Sequence, residues 1–108
     1  MNKALNTLGI CASARKISYG ETLLKDIKSK KVYLVVVAID ASDNSKKKVI
    51  DKCSYYKCRY VVCFDKESIT KAIGRLDLVC AVGIKDYNLM KKFKENIERE
   101  GGSNEEKQ

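Results

Sequence analysis

Val32-Tyr33-Leu34-Val35-Val36-Val37-Ala38-Ile39 is an eight-residue run without a charge and without alternation between apolar and polar positions. A strand with one face in water alternates, whereas a strand covered on both faces reads as a continuous run of β-branched residues. The run is therefore expected to be the central strand of a sheet with cover on both sides. It is also too short to cross a bilayer, which takes about 20 apolar residues in a helix.

Upstream of this strand, Ala4, Leu5, Leu8, Cys11 and Ala12 recur at spacings of three and four, the stripe of a helix that ends near Ala14. Arg15 to Gly20 is basic, then β-prone, then turn-like, and predicts a short strand or extended turn. Glu21 opens a second helix with Leu23, Leu24 and Ile27 inward. Downstream, Asp40 to Ser45 supplies a turn and a cap. A third helix follows, with Val49, Ile50, Cys53 and Tyr56 facing in and Lys46, Lys47, Lys48, Asp51 and Lys52 facing water. Tyr60 to Phe64 reads as a buried strand, and Asp65 caps a helix carrying Ile69, Ala72 and Ile73, with Gly74 at its stop. Arg75, Leu76 and Asp77 form a loop into a strand from Leu78 to Ile84. Asp86 caps the last helix, whose buried stripe is Leu89, Met90, Phe93 and Ile97.

This order of elements predicts an α/β protein, a three-layer α/β/α sandwich around a small mixed four-stranded sheet. Residues 1–100 form a single domain, since no proline-rich linker or repeat divides them, and 101–108 form a disordered polar tail with nothing to bury. The length of 108 residues and the 44% apolar and 33% charged composition fit one globular core. The apolar patch near the N-terminus is interrupted by Asn6, Thr7 and Ser13, so an amphipathic helix is expected there rather than an export signal, and with it a cytoplasmic location.

Twenty-two Lys and Arg against 14 Asp and Glu leave a net charge of +8. Such a balance favours polyanions, and in the cytoplasm that means nucleic acid, because each neutralised phosphate releases counterions. The five cysteines are odd in number and scattered, and read as reduced core thiols. The spacing of Cys53, Cys58 and Cys63 invites zinc. It lacks a Cys-x-x-Cys pair, the chain has no histidine, and Cys63 falls in a buried strand, so no metal or other cofactor is expected.

Catalysis has little to work with. Without histidine neither a Cys-His pair nor a Ser-His-Asp triad is possible, and no phosphate-cradling glycine motif occurs. Asp40 ends the central strand, where a phospho-accepting aspartate would stand, but the acidic pair such a domain needs near its first strand is missing. The nucleic-acid reading has a position as well as a charge: Arg15, Lys16, Gly20, Glu21 and Lys25 fall around one turn and one helix start. RNA is favoured over DNA, since no helix-turn-helix or finger pattern appears.

The stretch LGICASARKISYGETLLKDIKSKKVYLVVVAIDASDNSKKKVIDKCSYYKCRYV resembles the bacterial YlxQ-type branch of the kink-turn-binding ribosomal protein superfamily, whose archaeal and eukaryotic members bind ribosomal and small nucleolar RNAs. Agreement runs from about Leu8 to Ile84, and AIDASDNSKKKVIDKCSYYK is its most specific part. The resemblance implies an α/β/α sandwich, with no catalytic activity, that recognises the kink-turn, a sharply bent RNA helix with tandem sheared G·A pairs. In that family an Asn-Glu-x-x-Lys motif opens the second helix. Anchored on the lysine, its places fall on Glu21, Thr22 and Lys25, with Gly20 before them. The cation is kept, whereas Glu21 and Thr22 replace Asn and Glu and alter the donor and acceptor pattern. The family's second contact loop falls on Arg75, Leu76, Asp77 and Leu78; Leu76 is either core packing beside a strand or an exposed contact for a flipped-out nucleotide. Asp40 matches an acidic position facing RNA, or caps its own turn.

The expected function is thus a noncatalytic, ribosomal-protein-like RNA-binding protein acting as a monomer on kink-turn RNA, ribosomal or regulatory, with the ribosome itself as a further partner and no membrane. The alternative is a ribosome-associated or protein-interaction assembly factor that keeps the fold with weakened kink-turn specificity. A small-molecule-binding or enzymatic α/β domain comes third.

Overall fold

The computed structural model describes residues 3–99 and 106–107. The elements run α1 (Lys3–Ser13), β1 (Ile17–Tyr19), α2 (Gly20–Lys28), β2 (Leu34–Val37), α3 (Asp43–Tyr55), β3 (Tyr60–Val62), α4 (Lys66–Ala72), β4 (Ala81–Ile84), α5 (Tyr87–Arg99) and the two-residue β5 (Glu106–Lys107). Strand order is β1-β4-β2-β3-β5. β2 and β3 are parallel, and the other neighbours are antiparallel. The mixed sheet of the sequence reading is present, with β5 added at the β3 edge. The rest of the 101–108 tail lies outside the described residues.

The unbroken polarity of the central run is explained by burial on both faces. Leu34, Val36 and Ala38 point into one core with α1, α4 and α5, and Val35 and Val37 into the other with α2 and α3. β4 divides in the same way, with Val82 and Ile84 on the first face and Ala81 on the second. Gly83 leaves no room on that second face, since an added Cβ would stand 2.6 Å from Leu23 Cδ1 and 2.9 Å from Val32 Cγ1. The glycine lets α2 lie close to the sheet. On the other face Asn96 Nδ2 donates to Thr7 Oγ1 at 3.0 Å and ties α5 to α1.

The strands are shorter than the apolar runs that encode them. Tyr33 and Ile39, at the edges of the central run, are half-exposed. β3 stops at Val62 rather than continuing to Phe64, because Phe64 takes a left-handed backbone, φ 63°. β4 starts at Ala81 rather than at Leu78. The Val79 N–H donates to Thr70 Oγ1 at 2.8 Å, which holds the chain against α4 before it joins the sheet.

Four helices end in the same way. After α1, Arg15 N–H donates to Ala12 O and Lys16 N–H to Cys11 O; Lys30 and Lys31, Lys57 and Cys58, and Gly74 and Arg75 repeat the pattern after α2, α3 and α4. This pair of hydrogen bonds satisfies the last carbonyls and requires a left-handed residue, commonly glycine. Only Gly74 conforms, while Arg15, Lys30 and Lys57 hold φ near 60° with full side chains.

Candidate nucleic-acid interface

β1 ends beside the start of β4 and the end of β2, as the pairings Tyr19 with Val82 and Val37 with Ala81 show. α2, α3 and α4 all begin at this end of the sheet, so their unpaired N–H groups and positive dipole ends gather there. Ser42 Oγ accepts from the Ser45 N–H at the head of α3, and Asp65 accepts from the Ser68 N–H at the head of α4. At the head of α2 the N-cap residue is Tyr19, whose side chain makes no such bond. Its first-turn donors are left to water or to a ligand.

A groove of about 310 Å³ opens at this end. Gly20, Leu23 and Leu24 form one wall, Ser45, Lys48 and Val49 of α3 a second, and Arg75 with Asp77 to Ala81 a third. Gly20 turns the chain from β1 into α2 with φ 66°, and nothing within 4 Å would meet an added Cβ. Glycine is needed there for backbone freedom alone. Glu21, Thr22 and Lys25 stand exposed on the first turns of α2. On the inner side of that helix buried Asp26 pairs with Lys85 at 3.3 Å and helps fix α2 on the sheet.

The third wall is held in place from below. Buried Thr70 accepts the Arg75 N–H on its carbonyl at 3.1 Å and the Val79 N–H on its hydroxyl at 2.8 Å, so one residue clamps both ends of the loop. Between these anchors Leu76 is 100% exposed and Leu78 is 61% exposed. Leu76 is not core packing. The Arg75 guanidinium lies 5.1 Å from the centre of the Tyr19 ring, a cation–π contact that fixes the loop to the β1 end.

The remaining expected site residues are placed differently. Arg15 and Lys16 precede β1, and Lys16 O accepts from Lys85 N at 2.8 Å, at the far end of β4. A three-residue strand, on the order of 10 Å, thus separates them from the head of α2. They do not join Gly20, Glu21 and Lys25. Asp40 lies at the groove end of β2, and its Oδ1 accepts the Lys66 N–H at 2.8 Å. The carboxylate caps α4, a distant helix, rather than its own turn.

Lys48, Tyr19 and Thr70 were not read as site residues from the sequence. The helix periodicity of the sequence places Lys48 on a solvated face, and only the closeness of α2 to α3 turns it toward the groove. The cysteines stand apart from this chemistry: Cys53 and Cys58 pack on one face of the sheet and Cys63 on the other. Burial pushes the Cys63 thiol up to about 12 and the Cys11 thiol to about 11, so both stay protonated at neutral pH. Among the described residues no helix is long and apolar enough to cross a membrane, and no group of three or more His, Cys, Asp or Glu is placed to hold a metal ion.

Comparison with known proteins gives consistent matches. The model of the ribosomal protein L7Ae/L30e/S12e/Gadd45 family matches residues 2–94. The RNA-binding protein YlxQ of Enterococcus faecium is 44% identical over 97 residues, covering 89% of this chain and 92% of its own. YlxQ of Bacillus subtilis (strain 168) is 41% identical over 69 residues, 63% of this chain and 69% of its own. A protein of unknown function from Bacillus halodurans C superposes with a TM-score of 0.83 at 32% identity, over 91% of this chain and 99% of that one. A Giardia lamblia 15.5kD RNA binding protein shares the fold, with a TM-score of 0.70 at 23% identity over 88% of this chain and 82% of its own.

Proposed function

Because the chain belongs to the ribosomal protein L7Ae/L30e/S12e/Gadd45 family, we propose that it is a noncatalytic RNA-binding protein that holds a kink-turn RNA in its bent form through the α2 groove. The observation that supports this most is the convergence on one groove of an uncapped helix head and a clamped loop with a fully exposed leucine. The head of α2 offers backbone N–H groups and Lys25 to phosphate, and Glu21 and Thr22 to guanine edges. Leu76 and Leu78 offer an apolar surface to a nucleotide that the kink turns out of the helix. Lys48 supplies a further cation from α3. No bond in RNA need be made or broken. The protein acts by preferring one RNA conformer, and its differential affinity shifts the population toward the bend.

The test is a salt titration of binding to a kink-turn RNA beside the same RNA with its tandem G·A pairs replaced by Watson–Crick pairs. A preference for the kinked RNA that persists at high salt is expected, with Lys25→Ala weakening binding and flattening its salt dependence. Equal and salt-labile binding to both RNAs would overturn the kink-turn reading and leave the assembly-factor alternative.

A further inference from the structure

At the opposite end of the sheet, the start of β2, the turn between α3 and β3 and the first turns of α5 enclose a second hollow of about 540 Å³. Its walls carry Tyr33 and Tyr87, which are 48% and 53% exposed. Their rings meet edge to face, with centroids 5.8 Å apart and planes at 69°. Lys91 Nζ stands 5.8 Å from the Tyr87 ring centre. Lys57, fixed by its left-handed backbone, and Arg59 line the same hollow, and Lys94, Glu95 and Glu98 of α5 complete it. The core makes no use of these rings, for neither tyrosine is packed into either apolar cluster.

We propose that this hollow is a second RNA contact, which takes an unpaired nucleotide or short single strand with its base against the Tyr33–Tyr87 pair and its phosphates toward Lys57 and Lys91. Aromatic faces beside cations are what single strands bind, because every base offers a π face and every linkage a negative charge. A duplex keeps its base faces stacked inside and offers only the charge. Four cations, Lys57, Arg59, Lys91 and Lys94, outnumber the two carboxylates Glu95 and Glu98 in the hollow, and Glu95 offers an acceptor to an exocyclic base amine, a group that an acidic peptide side chain lacks. The inference rests on RNA as the partner and is independent of kink-turn recognition in the α2 groove.

The experiment measures fluorescence anisotropy of a labelled single-stranded oligoadenylate decamer and of a labelled ten-base-pair RNA duplex with the full chain. Tyr87→Ala is expected to weaken decamer binding about tenfold, within the range a stacked base contributes, and to leave duplex binding almost unchanged. Tyr87→Phe should retain binding, since the ring and not the hydroxyl is used, and Lys91→Glu should lose it without touching a ring. Lys25→Ala, in the other groove, should leave the decamer unaffected. Equal losses on decamer and duplex, loss with Lys25→Ala alone, or displacement of the decamer by a glutamate-rich peptide would each overturn the proposal. Loss of kink-turn preference with decamer binding intact would count against the α2 groove and in favour of this site.

Discussion

The two ends of the sheet collect different sets of helix termini. At the groove end α2, α3 and α4 begin, and the head of α2 has no side-chain cap. At the other end α1, α2 and α3 finish, each on a basic residue in left-handed conformation, Arg15, Lys30 and Lys57, while α5 alone begins there with its head capped by Asp86. What a cation does there depends on which helix terminus it stands beside. Beside a helix C-terminus a positive side chain compensates the dipole, whereas beside an N-terminus it adds to a field that already attracts anions. Counting lysines along the chain does not reveal this division; helix direction does.

The comparison breaks most severely if α2 is lifted off the sheet. Gly83→Ala places a methyl within contact distances that Leu23 and Val32 already occupy. A loss of about 3 kcal/mol is expected, as for an overpacked core. Urea denaturation should show the lowered midpoint, and kink-turn binding should fall with it because the helix head moves. Thr70→Val comes next. It keeps the side-chain volume but leaves the buried Val79 N–H without its acceptor, costing about 2 kcal/mol. This change should also loosen the 75–79 loop, so kink-turn affinity should fall while oligoadenylate binding at the far end persists.

Thr70 also marks how far the sequence could be read. The central strand, the helix stripes and the caps at Asp65 and Asp86 follow from periodicity and local hydrogen bonding, which depend on near neighbours. Gly20, Glu21 and Lys25 follow from charge and position at one helix start, whereas Thr22 and the 75–78 loop are placed through a family resemblance. What stayed hidden depends on contacts distant in sequence. Lys48 looks like one more solvated lysine until α2 packs beside α3. Arg15 and Lys16 sit five and four positions before Gly20, yet a strand carries the chain to the other end of the sheet between them. Asp40 serves a helix 26 residues away.

Two left-handed positions test the two ends against each other. Lys57→Gly relieves the steric cost of a side chain at φ 57° and should raise stability by about 1 kcal/mol, less what the lost charge contributed at the C-terminus of α3. Gly20→Ala does the reverse at φ 66° and should lower stability by about 1 kcal/mol, although its Cβ meets nothing. Thermal melts of the two single variants and of the double variant should show additive, opposing shifts, since the sites share no contact.

The smallest effect expected is a pH dependence confined to the groove end. Asp65 is held below its ordinary value of 3.8 by the Ser68 side chain and then by the Ser68 backbone N–H. A carboxylate with a lowered folded-state value stabilises the fold fully above its unfolded value, and that contribution disappears as pH falls through the folded one. Stability should therefore decline below about pH 4, in the range where the unfolded carboxylate takes up its proton first. Asp65→Asn keeps a good N-cap acceptor without a titrating group. Its stability should respond less to pH between about 2 and 4 than that of the parent chain, and denaturant midpoints collected across that range would show the difference. An unchanged slope would mean that other carboxylates govern the acid limb and that the cap at the head of α4 owes nothing to its charge.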